Sequence, residues 1–393
     1  MDLEYSTEAK ELARRIEQFV TDEVIPLERH ADPLAAEILR SVRGKAKSLG
    51  LWAPQLPREL GGQGFKLPEI CPVFEAAGRS LLGPLCLGCA APDEGNAHLL
   101  EIAASPAQRQ KYLLPLVSGE IRSAFAMTEP APGAGSDPSL MRTRAARDGE
   151  RWVIDGHKWF TTGAAGAAFA IVAAVTEDDA SSRGRNKITL FLVDSGTPGF
   201  MVRREIPVLG SGTPGGHCEV ELKHCCVRSE QVLGRVHEGY TLIQARLGPA
   251  RLTHCMRWIG AAARALEIAC RRSKERRSFG KLLAEHQAVE WMLADSRIDL
   301  HASRLLVQDA AWRVARGESA RTETSMCKIF VAEAINRVID RALQICGSLG
   351  ISHETPLARF YEEARAFRIY DGPSEVHRVV VARQTLKDDG RSV

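Results

Sequence analysis

Apolar residues recur at helical spacing from Ala9 through Leu12, Ile16, Phe19 and Val24, where Pro26 marks a stop, and further helical stretches run to Leu116 between breaks containing Pro and Gly. Between about Ile121 and Leu233 the pattern changes. The runs AFAIVAAVT, ITLFLVD, FMVRRE and HCEVEL are short, β-branched or alternating, and clusters of Gly, Pro, Ser and Asp separate them, which predicts strands. From Tyr240 the helical period returns. Val289, Leu293, Ser296, Leu300, Ser303, Val307, Ala310 and Val314 step by four and three, as in a helix packed along its length, and Val331, Ile335, Val338, Ala342, Ile345 and Leu349 form a second such series. The pattern predicts a mainly α protein with a central β domain: an N-terminal helical domain (1–120), a small β domain (121–233) and a C-terminal antiparallel helix bundle (234–393). No βαβ alternation and no internal repeat is visible.

The totals narrow the function. With 393 residues, 45% of them hydrophobic, the chain is long enough for a large core. Lys and Arg number 52 against 49 for Asp and Glu, and a net charge of +3 gives no case for nucleic acid as principal partner. The opening segment is charged where a secretory signal is apolar, and no stretch reaches the roughly 18 uncharged residues of a membrane span, so a cytoplasmic protein is expected. Ten cysteines are too sparse for a disulfide scaffold.

Four segments carry candidate chemistry, each with a plain alternative. Phe125-Ala126-Met127-Thr128-Glu129-Pro130 followed by Gly133-Ala134-Gly135-Ser136-Asp137 is a strand entering a loop of small residues; it suits close approach by a planar ligand, or is only a turn. Gly156-His157-Lys158-Trp159-Phe160-Thr161-Thr162-Gly163 sets aromatics beside hydroxyls, which suits a stacked heterocycle or a half-buried strand end. Arg276-Arg277-Ser278-Phe279-Gly280, with Glu285-His286-Gln287, places cations at a helix break, where they hold a pyrophosphate or are merely solvated. In Tyr370-Asp371-Gly372-Pro373-Ser374 the acid precedes a tight turn into a helix and is either a rigidly held base or an N-terminal cap.

In order and spacing these segments resemble the acyl-CoA dehydrogenases over residues 8 to 387. Cys89-Ala90-Ala91-Pro92-Asp93-Glu94-Gly95-Asn96, Arg246-Leu247-Gly248-Pro249-Ala250-Arg251, His254-Cys255-Met256-Arg257 and Asp371-Gly372-Pro373 are similar to the branch containing acyl-CoA dehydrogenase family members 10 and 11. The resemblance implies the fold of that family, with a β-barrel or sandwich as the middle domain, FAD as cofactor, and an acyl-CoA thioester, long or 2-methyl-branched, as substrate. A base removes the α proton, the β carbon gives hydride to flavin N5, and electrons pass to an electron-transferring flavoprotein. The enolate is stabilised by hydrogen bonds from a ribityl hydroxyl and from the backbone N–H of the base.

By position the base is Asp371, with Arg251 beside it. Flavin contacts fall on Phe125, Met127, Thr128, Phe160 and Thr162, and the adenine and pyrophosphate end on Arg276, Ser278, Phe279 and Gln287. Gln344 and Gly347 reach in from a neighbouring copy, so a homodimer or homotetramer is implied. Pro373 and Glu375 also fall on the cofactor, and Ser136, Gly372 and Arg383 on the substrate. Two departures from the family pattern stand out. Most members carry Glu where this chain has Asp371, and some carry the base at the position of Ala250. The Thr128–Gly133 loop is also about two residues longer than the commonest form.

Rival readings keep the fold: a flavin oxidase acting on acyl-CoA or on nitroalkanes, a carrier-protein thioester as substrate, or a non-catalytic binding protein. Cys86-Leu87-Gly88-Cys89 and the His217-Cys218 and His224-Cys225-Cys226 pairs read as packing, and no metal is predicted.

Overall fold

The computed structural model of the protein describes residues 4–30, 32, 34–177, 187–210 and 212–388. It divides into two compact units, Met1–Cys89 with Gly248–Val393, and Ala90–Leu247. The first is helical and the second carries the sheet, so the chain is mainly α with a central β region.

In the helical unit, Ser6 caps the Thr7–Phe19 helix by accepting a hydrogen bond from the Ala9 N–H (3.2 Å), and Ala9, Leu12, Ile16 and Phe19 form its buried face. Pro26 is not a stop. The chain continues as a π-helical turn, Val20–Val24, and a 3₁₀ turn, Ile25–Arg29, with Pro26 in the first turn of the latter, where a missing N–H is tolerated. Ser296, Leu300, Ser303, Val307 and Ala310 are the buried stripe of the Gln287–Ala315 helix. Val331, Ile335, Val338 and Ala342 do the same on the Arg321–Cys346 helix. Small residues in both stripes let the helices pack closely. The second helix ends before Leu349 because Gly347 takes φ 61° and ψ −138°, a conformation open in practice to glycine alone. The break before Gln287 is not bare loop: Arg277–Ser278 and Lys281–Leu282 pair as a two-stranded antiparallel ribbon.

The second unit contains strands β1 (Ser123–Ala126), β2 (Arg144–Asp148), β3 (Arg151–Thr162), β4 (Phe169–Glu177), β5 (Lys187–Asp194), β6 (Phe200–Glu205), β7 (His217–Arg228) and β8 (Val232–Leu233). They run in the order β6-β7-β3-β2-β4-β5-β8, with β1 parallel to β4. Both faces of β4 are covered, which is why it reads as a continuous apolar run instead of an alternating one. Trp152, Ile154, Val172, Phe191, Val220 and Leu222 lie in its core. Among the described residues no helix is long and apolar enough to cross a membrane.

Candidate active site

Where β1 and β3 end, the β unit brings the first two candidate segments together. The Thr128 carbonyl accepts from the Trp159 N–H (3.0 Å), so the loop after β1 is stitched to the end of β3. Phe160 projects from that edge, 44% exposed and at φ 47°, a strained backbone for a bulky residue. Thr162 Oγ1 lies 2.9 Å from His217 Nδ1, and burial lowers the pKa of that imidazole. Phe125, half-buried on β1, has the Arg246 guanidinium 4.2 Å above its ring. Arg246 donates to Asn96 Oδ1 (2.9 Å), Asn96 to Ser123 Oγ (2.9 Å), and Ser123 to Asp93 Oδ1 (2.7 Å). This buried chain accounts for Asp93, Asn96 and Arg246 in the sequence.

A second buried element fixes the same edge. Lys158, fully buried, donates to the Met127 carbonyl (3.0 Å) and to Glu129 Oε1 (2.9 Å). Glu129 also accepts from the backbone N–H groups of Arg142 (2.7 Å) and Thr143 (2.9 Å). Burial works against the carboxylate, but the Lys158 charge and these donors outweigh it and hold Glu129 well below its ordinary pKa. Glycine is required at Gly133, since an added Cβ would lie 2.4 Å from Glu129 Oε2. Ser136 sits exposed on the loop, and beside it an added Cβ on Gly135 would meet nothing within 4 Å.

In the helical unit the Tyr370-Asp371-Gly372 turn is held from three helices. Arg251 Nε donates to the Asp371 carbonyl (2.9 Å), and His377 Nε2 lies 3.1 Å from the same oxygen. Because that carbonyl can only accept, Nε2 carries the proton and Nδ1, 3.1 Å from Ser325 Oγ, accepts. Lys328 donates to the carbonyls of Phe367 (2.6 Å) and Gly372 (3.3 Å), and burial lowers its pKa. Asp371 takes φ 55°, and the following helix, Ser374–Lys387, is capped at Pro373 with no side-chain bond, so Asp371 does not act as its cap. Gly372, at φ 100°, admits no side chain: a Cβ would lie 2.7 Å from His377 Nε2. Ala250 is buried.

The remaining candidates are spread over this unit. Arg276 precedes the ribbon, Ser278 is on it, Phe279 at its tip is 96% exposed at φ 49°, and Gln287 opens the next helix. Gln344 and Gly347 are exposed where the Arg321–Cys346 helix ends, and Glu375 and Arg383 are exposed on the last helix. Glu129, Lys158, His254, Lys328 and His377 carried no candidate role in the sequence. Glu129, Lys158 and His254 lie inside the candidate motifs and His377 three residues beyond one, so proximity to a motif was their one available signal.

An exposed aromatic ring on strained backbone, hydroxyls beside it and a small-residue loop opposite suit one face and one edge of a planar heterocycle. Three family models match in order: Acyl-CoA dehydrogenase, N-terminal domain (residues 6–120), middle domain (124–225) and C-terminal domain (237–386). Probable acyl-CoA dehydrogenase FadE2 of Mycobacterium tuberculosis is 39% identical over 98% of this chain and 97% of its own. Acyl-CoA dehydrogenase family member 11 of Rattus norvegicus is 33% identical over 99% of this chain, which spans 52% of that longer relative. The solved butyryl-CoA dehydrogenase of Megasphaera elsdenii superposes with a TM-score of 0.86 at 27% identity, covering 98% and 100% of the two chains. The chain belongs to the acyl-CoA dehydrogenase family and is an FAD-dependent acyl-CoA dehydrogenase.

Proposed function

We propose that this enzyme desaturates the α,β bond of a long or 2-methyl-branched acyl-CoA in fatty-acid metabolism, with Asp371 as the base. The observation that carries the reading is the Asp371 turn: a left-handed aspartate whose carbonyl is clamped by Arg251 and His377. An α proton of a thioester is far too weakly acidic for a freely rotating carboxylate, and a shift of roughly an ångström can cost on the order of 100-fold in rate. Clamping the backbone supplies that precision, and Asp is one methylene shorter than the usual Glu, which removes one rotatable bond. Ala250 offers no proton acceptor, so the alternative position for the base is closed.

When bound, FAD accepts the hydride that leaves the β carbon. Phe125, Met127, Thr128, Phe160 and Thr162 would hold its ring, and Arg276, Ser278, Phe279, Gln287, Pro373 and Glu375 its remaining length. Gln344 and Gly347 of a second copy would complete the site. Gly372 and Arg383 would meet the substrate, as would Ser136 on the lengthened loop. An electron-transferring flavoprotein would reoxidise the cofactor. Trp291, Ile298 and Leu305, exposed at seven-residue spacing on one helix, support association of copies.

The test is anaerobic bleaching of the bound flavin by acyl-CoAs graded in length, branching and hydroxylation. Fast bleaching by long or 2-methyl-branched members supports the reading. Hydrogen peroxide formed in step with substrate loss, with no gain from an artificial electron acceptor, would replace it with an oxidase.

A further inference from the structure

His254 lies three residues beyond Arg251, nearly one helical turn on, so both side chains reach the same turn. Its Nε2 is 3.4 Å from Asp371 Oδ2, and the two side chains are only 15% and 19% exposed. The imidazole plane is fixed by aromatic neighbours. Tyr370 packs edge-on at 5.1 Å and Phe367 at 6.1 Å, and the Tyr370 hydroxyl is itself engaged by Trp258 Nε1 at 2.7 Å.

The surroundings explain why a second titratable ring matters. Arg251 and Cys255 share the helix of His254. Lys328 comes from the Arg321–Cys346 helix, and His377 from the last helix. Burial pushes the Cys255 thiol up to about 12 and brings His377 down to about 4, so at neutral pH neither holds an extra charge or proton. Arg257 donates to the Cys89 carbonyl, and Glu333 is paired with Arg368 and Ser374. Two cations, Arg251 and Lys328, therefore stand at the turn, donating to the carbonyls of Asp371 and Gly372. The imidazole at the carboxylate oxygen is a group that can accept a proton.

We propose that His254 is the proton-relay partner of Asp371, its Nε2 facing Oδ2 as the acceptor to which the carboxyl passes the substrate α proton. This rests on the reading of Asp371 as base. The α C–H bond breaks and its electron pair becomes the Cα–Cβ double bond as the β hydride leaves for the flavin. The proton moves to the Asp371 carboxylate, then to neutral His254 Nε2, and Asp371 is a carboxylate again. The imidazolium beside it afterwards releases the proton to solvent.

Two measurements test the relay. The first follows the His254 imidazole by NMR titration of the full-length protein and of Asp371→Asn. Removal of the carboxylate is expected to lower its midpoint by on the order of one unit; an unchanged midpoint overturns the proposal. The second incubates the flavin-loaded enzyme with butyryl-, 2-methylbutyryl- and palmitoyl-CoA in D2O and follows deuterium entry at the α carbon. In His254→Gln, entry is expected to slow by about 10-fold or more with KM little changed, and the acidic limb of the flavin-reduction pH profile to shift. Equal entry in both enzymes overturns the relay alone. No entry in the unsubstituted enzyme overturns the relay and the assignment of Asp371 together.

Discussion

Lys158 Nζ stands 2.9 Å from Glu129 Oε1 with both side chains almost wholly buried, and this pair joins the loop after β1 to strand β3. Through it the Met127 carbonyl and the Phe160–Thr162 segment keep a fixed relation before any ligand arrives. Removing one member of a buried pair leaves an uncompensated charge, a cost of about 3–5 kcal/mol.

Lys158→Met is therefore expected to destabilise the protein by about that amount and to weaken retention of FAD. Denaturant unfolding and flavin release on gel filtration check it. Retention of FAD and stability at the unsubstituted level would show that the pair does not hold the edge.

His377 sets a pH dependence on the Asp371 turn. Burial, helped by the Arg251 charge, lowers its pKa from 6.5 to about 4. The folded value lies below the unfolded one, so between pH 6.5 and about 4 the unfolded chain binds a proton that the folded chain does not. This contribution falls away as the pH drops through that window, by up to about 3 kcal/mol. Unfolding measured across pH 4–7 should lose this part of its slope in His377→Gln, and an identical slope in the variant would contradict the assignment.

The elements that the sequence made legible are those whose signal is local. The four-and-three stepping at Ser296, Leu300, Ser303 and Val307 depends on one helix alone, and the predicted face is the buried one. Pro26 misled because proline ends an α-helix but is accommodated in a 3₁₀ turn, and nothing nearby marks the difference. Asp371 was legible as one of two things, and the cap at Pro373 removes one of them. His254 and Lys328 were not legible as its neighbours. They reach the turn from helices tens of residues or more away in sequence, and which faces meet is decided by the pairing of those helices. The Glu129–Lys158 pair was hidden for the same reason on a smaller scale, since a register between β1, its loop and β3 brings the two residues together.

Trp291 and Ile298 are largely exposed on the Gln287–Ala315 helix, with Leu305 in register one heptad further. Trp291→Glu combined with Ile298→Glu is expected to shift the molar mass in light scattering towards that of one chain. An unaltered oligomer would place the contact elsewhere, and a monomer before substitution would remove the need for a second copy.

The central claim is that Asp371 takes the α proton. It is tested most directly by mixing FAD-loaded Asp371→Asn with an acyl-CoA that bleaches the unsubstituted enzyme, without oxygen, and following the flavin absorbance. Asparagine keeps the size and the backbone carbonyl of the turn but cannot accept the proton. Flavin reduction should fall by on the order of 10³-fold or more while FAD and thioester binding persist. Reduction within a few-fold of the unsubstituted rate would contradict the account.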